Sequence, residues 1–169
     1  MRPSVLTRKT HYWASILVAA PILVIFTTGI LLQLRKDWAW VQPTEQKGSA
    51  KVPTVPPAQL LAACQANPDT GVKDWADVSR IDYRVSKGIV KVTTKSGLEV
   101  QIDSATGTVL QVAVRRSDWL VDLHEGEWFS PAVKYYVFLP SGFVLLFLWV
   151  SGVYLFFHPR WVRWRAARK

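Results

Sequence analysis

Three histidines are the residues of this 169-residue chain best equipped for chemistry. An imidazole can ligate haem iron, move a proton near neutral pH or hold a directed hydrogen bond. A b-type haem needs two imidazoles on opposite sides of one iron. His11 and His158 stand at matching ends of two long apolar blocks. If those blocks pair as helices at about 8–10 Å between axes, a haem held between the two histidines is one candidate site. His158 precedes Pro159, which biases it out of a helix, and the plainer reading of both is as interfacial residues hydrated among headgroups. His124 lies about 30 Å away across the hydrocarbon. Within one chain it cannot share an iron with His11, so it would need a ligand from another subunit. Its plainer reading is a surface hydrogen-bonding residue beside Asp122 and Glu125.

The same histidine with Asp118, Asp122, Glu125 and Glu127 nearby could suggest acid–base work. No nucleophile, glycine-rich loop or metal cluster accompanies it, and the carboxylates read as a solvated face near headgroups. The single cysteine, Cys64, cannot form an internal disulfide and reads as a small buried apolar residue on a helix. The sequence therefore reads as no enzyme, with no metal site, and leaves open only a redox role through bound haem.

The elements that must position these residues are membrane spans. From Tyr12 to Leu34, and again from Tyr135 to Phe157, 23 positions carry no charge. About 20 apolar residues cross the hydrocarbon. Trp13, Trp38, Trp40, Trp119, Trp128, Trp161 and Trp164 flank the two blocks, as an aromatic belt does. The first block is longer than a signal-peptide core, and Gln33-Leu34-Arg35-Lys36 offers no small-residue cleavage site. The formal charge is +9. Residues 1–11 hold Arg2, Arg8 and Lys9, and residues 158–169 hold Arg160, Arg163, Arg165, Arg168 and Lys169, without an acid in either. Such tails fit anionic lipid headgroups rather than nucleic acid, and they predict both termini in the cytoplasm of a bacterial inner-membrane protein, with residues 35–134 periplasmic.

Each span holds a proline, Pro21 or Pro140, expected to bend its helix. Gly29 in the first span and Gly142, Ser151 and Gly152 in the second would let helix backbones approach closely. Trp149 in mid-span points to a helix interface or to lipid, because an indole N–H in hydrocarbon prefers a partner. No ionisable group lies within either block, which argues against a transporter or proton channel.

Between the spans, residues 35–57 read as an extended proline-rich linker. Residues 58–66 predict a helix with Leu60, Leu61 and Cys64 on one side, ended by Asn67-Pro68. Alternating patterns at 81–85, 89–93, 98–102 and 109–113, separated by glycine and aspartate turns, predict an antiparallel meander with one buried face. Residues 58–116 thus form a two-layer α+β domain. Residues 117–132 open with Ser117 as N-cap and place Trp119, Leu120 and Leu123 on one face. They lie along the bilayer or pack into the exported domain. The second span covers 133–157.

These residues together resemble the PepSY-associated transmembrane family in a minimal two-helix form. His11 before the first span, Thr28-Gly29 near its end, the Asp103-to-Gly107 turn, Leu123-His124 before the second span and Gly152 late in it follow that family's order. The resemblance implies a PepSY-like periplasmic domain. It also implies two divergent roles: regulation or inhibition of extracytoplasmic peptidases, and kinship with haem-carrying reductases of iron uptake. The latter have four or more spans where this chain has two. The leading reading is a membrane-anchored, non-catalytic accessory subunit whose periplasmic module contacts a partner, a larger membrane complex, and which requires no cofactor. The rival is an electron-transfer subunit holding haem b through His11 and His158, or through His124 and a partner's ligand. The third is a peptidase regulator.

Overall fold

The computed structural model describes residues 3–167. Met1, Arg2, Arg168 and Lys169 lie outside the described residues, and with them three of the basic charges assigned to the tails. The described chain divides into two compact units, residues 3–30 with 121–167, and residues 31–120.

The first unit is helical. Helix α1 runs Pro3–Gln33 and includes Pro21. The last helix, named α4 below, runs Pro131–Ala166. Both are long and apolar enough to cross a membrane. In hydrocarbon an unpaired peptide group costs several kcal/mol, so a continuous helix is the form these blocks must take. The helices outrun the uncharged blocks. Arg8 and Lys9 stand on α1 itself, and α4 continues through His158 and Pro159. The expectation that Pro159 would turn His158 out of the helix therefore does not hold. The Arg160 guanidinium donates to the Phe156 carbonyl at 2.8 Å, next to the Leu155 carbonyl that Pro159 cannot serve. Near its start α4 widens into a π turn over Lys134–Phe138. Pro140 follows two residues later and cannot donate to the Tyr136 carbonyl, so the backbone readjusts there rather than breaking.

The second unit carries helix α2 (Pro57–Ala66) and strands β1 (Val78–Arg84), β2 (Ile89–Thr94), β3 (Leu98–Asp103) and β4 (Val109–Val114). The strands form an antiparallel sheet in order β1-β2-β3-β4. Pro57 opens α2 at a position where its missing N–H costs nothing. Leu60 and Cys64 of α2 pack on Val90, Val92, Val100 and Ile102 of the central strands, and this is the core. Burial pushes the Cys64 thiol pKa up, which keeps it protonated and inert.

The other face of the sheet departs from expectation. Alternation puts Lys91, Glu99, Gln101 and Asp103 there, a face that composition alone would leave in water. All four are buried. Their cover is the segment read from sequence as a free linker. The Gln46 N–H donates to Gln101 Oε1 at 2.8 Å, the Gln101 amide to the Thr44 carbonyl at 3.1 Å, and the Ser49 N–H to Asp103 Oδ2 at 2.7 Å. Gly48 N–H bonds the Lys87 carbonyl at 2.9 Å. A Cβ on Gly48 would overlap the Gly88 carbonyl, so only glycine lets the two backbones meet. Residues 41–50 thus have neither helix nor strand, yet they are a docked strap.

Helix α3 (Ser117–Glu125) precedes α4. The Leu120 N–H bonds the Arg116 carbonyl, so Ser117 is inside the first turn. Its hydroxyl meets Asp118 Oδ1 at 3.5 Å instead of capping the helix. Leu120 is buried while Trp119 stays half exposed.

Candidate functional site

Two histidines are each engaged by the opposite helix of the first unit. His124, in the last turn of α3, places Nδ1 2.9 Å from Thr28 Oγ1 of α1. His11, in α1, places Nδ1 2.8 Å from Ser151 Oγ of α4. In both cases the residue after the hydroxyl is glycine, and the imidazole lies against it. A Cβ at Gly29 would stand 3.4 Å from His124 Cε1, and one at Gly152 would stand 3.6 Å from His11 Cε1. The hydroxyl supplies a bond and the glycine supplies room. Thr28 and Ser151 are both buried.

Proton counting bears on the direction of these bonds. A hydroxyl has one proton. Thr28 also reaches the Val24 carbonyl at 2.6 Å, and Ser151 the Leu148 carbonyl at 3.2 Å. At Thr28 the Val24 contact is the shorter, 2.6 against 2.9 Å, which favours His124 as donor through Nδ1–H with its lone pair on Nε2, whereas at Ser151 the His11 contact is the shorter, 2.8 against 3.2 Å, and the direction there follows the His11 tautomer. A ligand histidine is normally held in this way, with one nitrogen donating to a fixed acceptor and the other free for a metal.

The spacing limits what that lone pair can do within one chain. From His11 to Thr28 the rise along α1 is about 26 Å, so His11 and His124 serve opposite ends of the helix pair. His158 lies about 10 Å beyond Ser151 along α4, with its ring 5.1 Å from that of Tyr154. The structure brings His11 to Ser151 and Gly152 and does not bring it to His158. With helix α4 in hydrogen-bond contact at His11, there is no gap for a porphyrin between that ring and Ser151. A haem would fit these residues only as one Nε2 per iron, from His11 or His124, with the second ligand from another molecule.

Of the other residues singled out from sequence, Gly142 faces open space. Trp149 is 67% exposed on α4. The carboxylates expected to form one solvated face are divided. Glu125 and Glu127 each hold Lys134 at 2.6 Å, and Asp118 holds Arg115 at 3.0 Å. His124 directs its Nδ1 to Thr28.

Sequence reasoning missed a second polar assembly, in the sheet unit. Lys91 and Glu99, both fully buried, stand 3.1 Å apart. Lys91 also meets Glu45 of the strap at 3.1 Å, and Glu99 meets Arg115 at 2.6 Å. Burial would raise the Glu45 pKa, but the Lys91 ammonium and the nearby Arg84 and Lys87 outweigh it, and the net shift is downward. At Asp103 burial likewise acts upward, yet N–H donation from Ala105, Ser49 and Thr106 brings the pKa down to about 2. The clue was strand parity, which sets 91, 99, 101 and 103 on one face.

A family model described as the PepSY-associated TM region matches residues 8–169. No curated protein and no solved structure matches the chain.

Proposed function

From the premise that this chain belongs to the PepSY-associated TM region family, and is thus a membrane protein, we propose that it is a non-catalytic accessory subunit. Its helix pair anchors it beside a larger membrane complex, and its strapped sheet domain is displayed on the periplasmic side for a partner. The termini face the cytoplasm, where the basic residues of the tails meet anionic headgroups. The observation that supports this reading best is the use of His11 and His124 as cross-helix pins. Each is spent on a hydroxyl of the neighbouring helix, one near each end of the pair. Such pins give a two-helix hairpin a fixed shape, while Phe143, Leu146, Trp149 and Val150 remain exposed for lipid or another subunit. Purification from native membranes in mild detergent tests the reading. The expected result is colourless protein in constant ratio with a larger complex. Protein that runs alone under every mild condition would overturn it.

One observation favours a second reading, a b-type haem subunit. An Nδ1–H tautomer, which the Thr28 geometry favours for His124, would leave Nε2 of His124, or of His11 in the same tautomer, ready as an axial ligand. Haem would supply one-electron transfer. This chain would hold it with one imidazole, oriented by Thr28 or Ser151, and take the second ligand from another molecule. A Soret band lost on His11→Ala or His124→Ala would favour this reading over the first. A peptidase-regulator role predicts instead that the full chain lowers the activity of an exported protease.

A further inference from the structure

The sheet unit contains a cleft of about 690 Å³, within the range of roughly 300–1,000 Å³ usual for small-ligand pockets. Six cationic side chains line it: Arg35, Lys36, Arg80, Arg84, Lys87 and Arg115. Two carboxylates, Glu45 and Asp82, face them, so the lining has an excess of four positive charges. The cations are of two kinds. Three of the four guanidinium groups are held in place: Arg115 by Glu99 at 2.6 Å and Asp118 at 3.0 Å, Arg80 by Asp82 at 3.0 Å, and Arg84 by Glu45 at 3.8 Å. Arg115 is only 11% exposed, so its orientation is set from behind. Arg35, Lys36 and Lys87, by contrast, have no carboxylate within ion-pair distance among the described residues.

Gathering unpaired cations around one concavity is electrostatically unfavourable until an anion enters. Fixed guanidinium forks match the oxygens of a phosphate, and mobile ammonium groups supply charge without demanding geometry. A charge run on a solvated face would lack this concavity and these oriented forks. We propose that the cleft binds a phosphate-bearing anion, with Arg80, Arg84 and Arg115 as the oriented donors and Arg35, Lys36 and Lys87 as the charge-neutralising partners. Arg35 and Lys36 follow the last residue of α1 by two and three positions, so a lipid headgroup and a free phosphate are both sources of that chemistry. The cleft shares no residue with the histidine pins, and the proposal does not depend on the accessory role.

The test uses the full chain in a neutral maltoside detergent. Binding of radiolabelled orthophosphate is measured by equilibrium dialysis, and a second arm adds short-chain phosphatidylglycerol to the same micelles. The variants are the Lys36→Gln/Lys87→Gln pair and, as control, the Lys51→Gln/Lys95→Gln pair. All four lysines are exposed, so the fold is retained, which an unchanged melting temperature verifies. Single Lys87→Gln replaces the pair if it is not. The expected result is saturable binding in at least one arm, weakened tenfold or more by the cleft pair and unchanged by the control. Binding of orthophosphate assigns the free anion, and binding of the lipid alone assigns the headgroup. Absence of binding in both arms, or equal loss in both variant pairs, would overturn the proposal.

Discussion

At Thr28 the hydroxyl lies closer to the Val24 carbonyl than to His124, and that preference favours Nδ1 protonation of a histidine in another helix. Nitrogen-15 histidine spectra of the native chain should accordingly show His124 protonated at Nδ1. An Nε2–H tautomer would refute the assignment. Thr28→Val keeps the shape and removes the acceptor, so the Nδ1–H loses its partner. Interhelical hydrogen bonds in membranes are worth about 0.6 kcal/mol on average and up to about 1.7. The variant should lose stability in that range when unfolded reversibly in mixed micelles, and the His124 tautomer preference should relax. A shift of several kcal/mol would mean that the bond carries more than local pinning. The participants were individually legible: His11, Thr28-Gly29, His124, Ser151 and Gly152 all stood out as sequence features. Their partnership was not. It spans 96 residues in one case and 140 in the other, and apolar periodicity says little about how a uniformly apolar helix is rotated about its own axis.

The sheet was legible as an element. Strand alternation and glycine turns gave the four strands, and Pro57 with the apolar spacing gave α2. The fate of the second face was not legible, since a charged face ordinarily means a wet one. Here the strap of residues 41–50 covers it, a segment whose proline and polar content looks like a spacer because it satisfies its backbone through side chains of the sheet instead of a ladder. Burying Lys91 and Glu99 demands mutual compensation. Glu99→Leu leaves Lys91 with Glu45 as its one carboxylate and removes one support of Arg115, and removal of one partner of a buried pair costs about 3–5 kcal/mol. The amides of β2 and β3 should then exchange hydrogen far faster in the full chain. Protection equal to the native level would contradict the network. Acid should act at the strap's other end. The Asp103 pKa lies at about 2, below the ordinary 3.8. A depressed carboxylate contributes stability above its unfolded value, and that contribution fades as pH falls from about 4 toward 2. Asp103→Asn should flatten this part of the stability profile. An unaltered acid limb would show that Asp103 is not its source.

For the whole molecule, the proposed topology puts residues 35–134 in the periplasm. A cysteine replacing Lys51 should react with a membrane-impermeant maleimide in intact spheroplasts, in a Cys64→Ser background, and one replacing Arg165 should not. The reverse pattern would invert the topology. The spans themselves were plain in the sequence, whereas their extent was not: charge marks where lipid ends, and the helical backbone has no reason to stop there. The wide turn at Lys134–Phe138 has a consequence of its own. A π turn spends about one residue more per revolution than an α turn, which advances the azimuth of everything downstream by about 100°. The side of α4 that presents Ser151 to His11 is therefore indexed by this turn, like a splined shaft seated one tooth over. Loss of one residue there would regularise the coil and yet swing Ser151 a quarter-turn away, so the chain is less tolerant of a change in residue number at this point than of a change in residue type.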